Sequence, residues 1–209
     1  MEASEIPYQE TNKFSKLVID YVNKNPTIEP FINRFPNLDN FEKQIIEKKS
    51  HSVNRDVLVE VLQKQNSDLL LSTQSQKNIE RLLSKDTFTV STGHQLCIFT
   101  GPLYFIYKIL STINLAEALQ EKYPKYNFVP IFWMASEDHD FQEINHIHLF
   151  GKKIEWESEQ NGAVGRMNLD GFVTVLDELK SVLGTSENAK ELILLFEKTY
   201  LQHENLADA

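Results

Sequence analysis

Hydrophobic positions in the first part of the chain recur at helical spacing. After Asn54, a favoured N-cap residue, Val57, Leu58, Val61 and Leu62 lie three to four residues apart and so share one helix face. Comparable patterns predict further helices over 15–22, 40–49 (with Asn40 as N-cap) and 74–83, and a proline-bounded loop over 29–36. Residues 1–86 are therefore predicted to form a helical N-terminal region.

The hydrophobic period changes from helix to strand at Thr87. Residues 87–91 alternate and are rich in β-branched side chains, which is typical of a strand. Pro102 stands at the favoured first-turn position of a helix over 103–121, and 128–134 is a continuous apolar run, as in strands buried on both faces of a parallel sheet. Strand, loop, helix and strand in this order predict a right-handed βαβ unit.

The fold class is therefore predicted to be α/β, with residues 87–209 as a partial, Rossmann-like parallel core. Shorter elements are expected after this unit: strands at 146–150, 153–156 and 164–167, and helices at 172–183 and 187–201. The helix over 103–119 is apolar around most of its circumference and needs neighbours on several sides. Because the other elements offer limited cover, we expect a truncated protein whose core is completed by missing residues or by a partner chain.

Composition narrows the class of protein. The 209 residues include 41% hydrophobic and 24% charged residues, as in globular proteins, and the net charge of −9 without basic blocks argues against nucleic-acid binding. The N-terminal residues lack the pattern of a signal peptide, and the most apolar stretch, 103–113, is too short to span a bilayer. The single cysteine, Cys97, fits a reducing cytosol and is interpreted as a small buried hydrophobic residue, so we expect a cytoplasmic protein without membrane contact.

The loop after the first predicted strand is the first candidate site. Its glycines permit tight turns and close approach of a ligand, and the helix start after it favours an anion. It matches neither a Walker A sequence nor GxGxxG, so a phosphate-binding loop and an ordinary strand-to-helix loop both remain open. The candidate cofactor-binding residues are Thr92, Gly93, His94, Gln95, Thr100 and Gly101.

The acidic segment 136–146 follows the second predicted strand and so lies at the same sheet edge. Glu137, Asp138 or Asp140 could hold Mg²⁺ together with nucleotide phosphates. His139, oriented by Asp138 or Asp140, could instead act as an acid or base. The third interpretation is a solvated turn with Asp140 as the N-cap of a short helix.

Two further groups are candidates for ligand binding. His146 and His148 alternate along a predicted strand and share a face, so zinc binding with His139 or Asp138 is an alternative to ordinary strand histidines. Arg166 follows two glycines and could bind a carboxylate through two hydrogen bonds.

Three segments in order carry a family resemblance. They are TGHQLCIFTGPLYFIYKIL from residue 92, VPIFWMASEDHDFQEINH from residue 129 and VGRMNLDGF from residue 164. With them the chain resembles the BshC family, the cysteine ligases of bacillithiol biosynthesis, more weakly before residue 85. Many members carry Gln where this chain has His94, so an essential imidazole is not expected there.

The resemblance implies a ligase that forms a carbon–nitrogen bond, joining cysteine to glucosamine-malate as an amide in the last step of bacillithiol biosynthesis. It implies a Rossmann-like core, a helical connecting region and a C-terminal coiled coil through which full-length members form homodimers. This chain matches the N-terminal part alone.

The implied mechanism activates a carboxylate with ATP before an amine attacks it. The loop residues named above would hold phosphates or the cysteine carboxylate, and Mg²⁺ is a possible companion of ATP. Asp138, His139 and Asp140 are the expected catalytic residues, and Glu137, Asn145 and Arg166 the expected substrate-binding residues. The alternatives are a nucleotidyltransferase-like enzyme that adenylates another small acid, and a non-catalytic module.

Overall fold

The computed structural model describes residues 4–209 and has an α/β fold with helices up to Arg81 and the first strand from Thr87. None of the helices in this range is long and apolar enough to cross a membrane. The helices are α1 (Tyr8–Thr11), α2 (Lys16–Val22), α3 (Asn40–Lys49), α4 (Arg55–Gln65), α5 (Thr73–Arg81), α6 (Leu103–Lys122), α7 (Phe141–Ile144), α8 (Phe172–Leu183) and α9 (Glu187–Tyr200), and the strands are β1 (Thr87–His94), β2 (Asn127–Met134), β3 (His146–Leu149) and β4 (Lys152–Glu155).

The N-terminal helices begin largely where polar capping residues predict. The Asn54 side chain accepts the Val57 N–H at 3.2 Å and so caps α4 as expected. The prediction of Asn40 as a cap is wrong, because Asn40 is already helical and donates its own N–H to the Asn37 side chain. The proline-bounded loop is partly a 3₁₀ helix, Pro26–Phe31, since proline is tolerated in a first helical turn.

The predicted βαβ unit is confirmed. Strands β1 and β2 pair in parallel, with Thr87 opposite Asn127 and His94 opposite Met134, and α6 connects them. Side chains of α3 and α6 pack with Phe128 on one face of the sheet, and side chains of α4 and α5 pack with Val129 on the other. The result is a three-layer arrangement of helices around a parallel sheet.

Strand β2 is less buried than its apolar run predicts. Phe128 and Val129 are buried, but Trp133 at the end of the strand is 64% exposed. The expectation of burial on both faces is wrong for this region, because the sheet has two strands within residues 4–209. Along α6, Leu103 and Tyr107 are likewise 65% and 60% exposed, as expected for an apolar helix with too few neighbours.

The largest buried cluster lies under α8 and α9. It encloses Trp156 and Phe172 and reaches Ile98 in the loop after β1. Strands β3 and β4 form the expected antiparallel hairpin, and α8 and α9 are the expected helices. The prediction of a strand over 164–167 is wrong. Val164–Arg166 is a 3₁₀ turn, because its backbone N–H groups donate to backbone carbonyls of the segment after β2.

Candidate functional site

The two segments selected from the sequence meet at the carboxyl-end edge of the parallel sheet. The Ala135 N–H donates to the His94 carbonyl at 3.2 Å, which continues the pairing just beyond both strands. The Gln95 side-chain nitrogen, Nε2, donates to Asp138 Oδ2 and to Glu143 Oε2, each at 2.8 Å. The loop after β1 and the acidic segment after β2 therefore form one site, in the position where α/β sheets bind ligands.

Asp138 organises the turn after β2. Its Oδ1 accepts the N–H of His139 at 2.6 Å and that of Asp140 at 3.1 Å. The hydrogen bond from Gln95, followed by these two backbone bonds, lowers the pKa of the Asp138 carboxyl below its ordinary value. Asp138 is thus ionised near neutral pH. Asp140 stands at the N-cap position of the short helix α7, as the solvated-turn interpretation expects, although its side chain makes no capping bond.

The acidic segment also presents side chains that face solvent. His139 and Asp140 are exposed, and across residues 4–209 the His139 imidazole forms no hydrogen bond, so it is accessible to a ligand. Glu143 on α7 was not among the residues selected from the sequence, although it lies in the same acidic segment. Its approach to Gln95 depends on the meeting of two strands, which spacing along the chain does not reveal.

The loop after β1 is held in an uncommon backbone conformation. Phe99, Thr100 and Gly101 all have positive φ angles, of 50°, 68° and 57°. A Cβ atom at Gly101 would lie 2.4 Å from the Cβ of Cys97, so only glycine fits there. The Phe99 N–H donates to the Tyr200 hydroxyl at 2.8 Å, and its ring packs on Phe172. Helix α9 therefore holds the loop in place through the Tyr200 hydroxyl.

Gly93 and Thr92 belong to β1 rather than to the loop. A Cβ atom at Gly93 would lie 2.9 Å from both the Cβ and the carbonyl oxygen of Trp133, so its small size serves strand packing. Thr92 borders a groove along α6 beside Tyr107 and Lys108. The Lys108 ammonium, which is partly buried, donates to the Gly93 carbonyl and so ties α6 to β1.

His94 is packed against the first turn of α6. Its Nδ1 lies 3.0 Å from the Gln95 carbonyl oxygen, which can only accept, so Nδ1 carries the proton. Its Nε2 then accepts the Tyr104 hydroxyl, also at 3.0 Å. The neighbouring Cys97 is partly buried, and this burial, with the negative charge of Glu143, raises the pKa of its thiol. The thiol stays protonated near neutral pH and is a poor nucleophile.

The start of α6 is open to an anion. Pro102 stands at the N-cap position, one residue earlier than the sequence predicts, and provides no side-chain cap. The N–H groups of Leu103 and Tyr104 therefore remain available, whereas that of Phe105 donates to the Pro102 carbonyl at 2.9 Å, and the exposed Thr100 lies just before the helix. This geometry fits a phosphate or carboxylate group.

The three expected substrate-binding residues do not share one location. Glu137 and Arg166 border one cleft of about 340 Å³. The turn that carries Arg166 is hydrogen-bonded to the acidic segment, because the Val164 N–H donates to the Asp138 carbonyl at 2.7 Å. Asn145 is 2% exposed, and its side chain donates to the buried Trp156 carbonyl at 3.0 Å, so it supports the fold and cannot contact substrate.

The zinc interpretation is wrong for the described part of the chain. Within residues 4–209 no group of three or more His, Cys, Asp or Glu side chains is placed to hold a metal ion. The rings of His146 and His148 pack edge to face with centroids 5.3 Å apart, and His146 Nδ1 pairs with the Asn145 side chain. A Mg²⁺ ion uses one or two carboxylates with phosphates and water, and its binding stays a prediction.

A parallel sheet between helical layers, with a polar site at its carboxyl-end edge, defines a Rossmann-like α/β domain. The family model described as "Bacillithiol biosynthesis BshC, N-terminal Rossmann-like domain" matches residues 1–209. The chain therefore belongs to the BshC family.

Curated relatives agree with this assignment. The chain is 52% identical over 206 residues to a protein of Flavobacterium johnsoniae and 50% identical over 207 residues to one of Flavobacterium psychrophilum, each match covering 98% of this chain and 39% of the relative. A protein of Chloroherpeton thalassium is 33% identical over 213 residues, covering 97% of the chain and 37% of the relative. All three bear the name "Putative cysteine ligase BshC". The chain thus spans about two fifths of their length.

Proposed function

We propose that this chain forms the N-terminal part of a ligase that joins cysteine to glucosamine-malate through an amide bond, the last step of bacillithiol biosynthesis. Family membership supports the ligase class and the pathway. The main support for a site at this place is the pair of hydrogen bonds from Gln95 to Asp138 and Glu143. These bonds bring the two motif segments together at one edge of the sheet.

The reaction needs an activated carboxyl group, because a carboxylate does not itself react with an amine. Transfer of the adenylyl group of ATP to the cysteine carboxylate, with release of pyrophosphate, supplies it, and the amine then displaces AMP. The start of α6 and Thr100 would bind the phosphates, since the free N–H groups of a helix start attract anions. The remaining candidate residues would keep this loop in its conformation rather than contact the phosphates. They are Thr92, Gly93, His94, Gln95 and Gly101.

The charges around the site favour a cation beside the phosphates. Asp138 is held ionised, and Glu143 lies against the same Gln95 amide. Phosphate groups brought next to these carboxylates would be repelled by them. Asp138, with Glu143 or Asp140, would hold a Mg²⁺ ion, which would supply positive charge that offsets this repulsion.

The amine of glucosamine-malate would be handled by the exposed side chains of the turn. His139 is accessible and can accept a proton from the attacking amine. The guanidinium of Arg166, in the neighbouring cleft with Glu137, can bind a malate carboxylate through two hydrogen bonds.

The full-length protein tests this proposal. Bacillithiol formation from cysteine, glucosamine-malate and ATP is measured for wild type, Asp138→Asn and His139→Ala, with the exposed histidine variant His203→Ala as control. We expect the two site variants to lose at least about tenfold in turnover and the control to keep it. Unchanged turnover in both site variants would remove the acidic segment from the mechanism. Adenylation by wild type of another small acid, without amide formation from cysteine, would favour the nucleotidyltransferase-like alternative.

A further inference from the structure

The parallel sheet has two outer edges, and the residues that face them follow from the pairing of β1 with β2. Successive residues of a strand direct their backbone N–H and C=O groups to opposite sides. The carbonyls of Asp86 and His94 both accept N–H groups from the β2 side, so the even-numbered residues of β1 face β2. The odd-numbered residues over 87–93 therefore face away from β2. Their backbone groups are called the β1 edge.

The opposite edge, on the outer side of β2, is poorly suited to a further strand. By the same alternation, the even-numbered residues over 128–134 face this side. The Phe128 N–H donates to the Gln120 side-chain oxygen at 3.3 Å and is thus already satisfied. Pro130 has no N–H to donate, and proline is found in sheets on edges where no ladder bond is needed. Strand β2 is therefore suited to be an edge strand.

Two cationic side chains occupy the ends of the β1 edge. The Thr87 carbonyl accepts from the Arg55 guanidinium at 3.1 Å, and the Thr87 N–H donates to the Ser84 carbonyl, also at 3.1 Å. At the other end, the Gly93 carbonyl accepts from the Lys108 ammonium. The position of these two side chains on odd-numbered carbonyls agrees with the alternation, and it limits any further pairing to the stretch between them.

Between these ends the β1 edge is open. Thr89 and Ser91 are exposed, and within residues 4–209 no side chain or loop bonds to their backbone groups. A cavity of about 480 Å³ lies beside this stretch, with Ile45 and Phe88 on one face of the sheet and Leu58 on the other. Because successive side chains of a strand point to opposite faces, an added strand would fill both halves of this cavity, which a helix lying on one face would not.

We propose that a segment of the full-length protein that follows residue 209 adds to the β1 edge as a third strand, paired with Thr89 and Ser91. The chain spans 39% of its relative from Flavobacterium johnsoniae, and the matching family model describes an N-terminal domain. The rest of such a protein contains ample chain to supply a strand. A third strand also explains how a sheet of two strands becomes stable, since two strands alone are marginal.

A second copy of the chain is a poorer occupant of the β1 edge. Antiparallel pairing of two β1 edges about a twofold axis would place the Arg55 of each copy beside the Lys108 of the other. Like charges that face each other across a strand pair are destabilising. The arrangement of charges therefore favours a segment of the same chain.

Amide hydrogen exchange in the full-length wild-type protein tests the place of the added strand. It is measured by mass spectrometry with fragmentation to single residues, and Phe132, on the outer side of β2, is the matched control. We expect the N–H groups of Thr89 and Ser91 to exchange at least about hundredfold more slowly than that of Phe132, because they donate to the added strand. Exchange at Thr89 and Ser91 that is no slower than at Phe132 would overturn the proposal.

Photo-crosslinking in the full-length protein tests the identity of the occupant. The photoreactive residue p-benzoylphenylalanine replaces Thr89 in one variant and Met134, on the outer side of β2, in the control. We expect irradiation to join position 89 to a residue beyond 209 of the same molecule, with no such product from position 134. Mixed isotope-labelled and unlabelled protein distinguishes cross-links within one molecule from those between two. A product between two copies would overturn the proposal, as would cross-links confined to residues 1–209 or no cross-link at position 89.

Discussion

The two flanks of the βαβ unit differ in how completely they are packed. On one side, the lobe formed by α7, α8, α9 and the β3–β4 hairpin encloses a cluster in which Trp156 and Phe172 are buried. On the other, α6 turns Leu103 and Tyr107 toward solvent. The loop after β1 is anchored in the packed lobe through Phe99. The geometry of the site therefore depends on elements that follow it in the chain. The apolar side chains on the exposed face of α6 still lack packing partners within residues 4–209.

The strongest way to test this difference is a pair of truncations in the 209-residue chain. Phe172→Ala removes a fully buried ring and is expected to cost about 3–5 kcal/mol of unfolding free energy. Tyr107→Ala removes an exposed ring and should stay within about 0.5 kcal/mol. Urea denaturation measures both.

The same pair in the full-length protein sharpens the comparison. We expect the cost of Tyr107→Ala to rise above about 1 kcal/mol, because the rest of the chain or a partner chain covers the α6 face. Equal costs of Tyr107→Ala in both proteins would show that the face stays open.

Two glycines with the same backbone conformation test the packing of the site loop. Gly101 (φ 57°, ψ −144°) and Gly184 (φ 76°, ψ −153°) both lie in a region that disfavours other residues, but only Gly101 has a neighbour where a Cβ would be. We expect Gly184→Ala to cost about 1–3 kcal/mol from backbone strain alone. Gly101→Ala should lower the free energy of unfolding by about 1–3 kcal/mol more than Gly184→Ala does, because its Cβ would clash with Cys97. Equal thermal and urea midpoints for the two variants would contradict this account.

A smaller effect is expected at the anchor between α9 and the loop. Tyr200→Phe leaves the buried Phe99 N–H without its acceptor and should cost about 1–3 kcal/mol. The control Tyr104→Phe, at an exposed hydroxyl that bonds His94, should cost less than about 1 kcal/mol. A neutral Tyr200→Phe variant in urea denaturation would mean that the loop is held by its apolar contacts alone.

The same tyrosine gives a pH dependence of defined sign. Burial raises the pKa of Tyr200 from 10.0 to about 12. The unfolded chain therefore loses this proton first as the pH rises, so the stability from this group is complete below pH 10 and falls between pH 10 and pH 12, by about 2–3 kcal/mol in all. The difference in stability between wild type and Tyr200→Phe isolates this contribution. A difference that does not change over this pH range would contradict the burial of the hydroxyl.

The sequence predicts the local elements better than the contacts between them. Alternation at 87–91 and the apolar run at 128–134 locate β1 and β2, because the period of hydrophobic residues follows from strand geometry. The acidic segment is found by its place after β2. Glu143 and the anchor at Tyr200 were missed, because their partners lie 48 and 101 residues away in the chain. The role of Asn145 was misread, since its burial depends on the packing of the hairpin beside it.

The measurement that tests the central claim most directly is a double-mutant cycle between the loop after β1 and the acidic segment. Gln95→Leu, Glu143→Leu and the double variant are compared with wild type in the full-length protein, by unfolding in urea and by turnover. If the two segments form one site, the double variant loses less than the sum of the single losses, because each single change already breaks the same bond. Strictly additive losses in both readouts would show that the two segments act apart and would contradict the account.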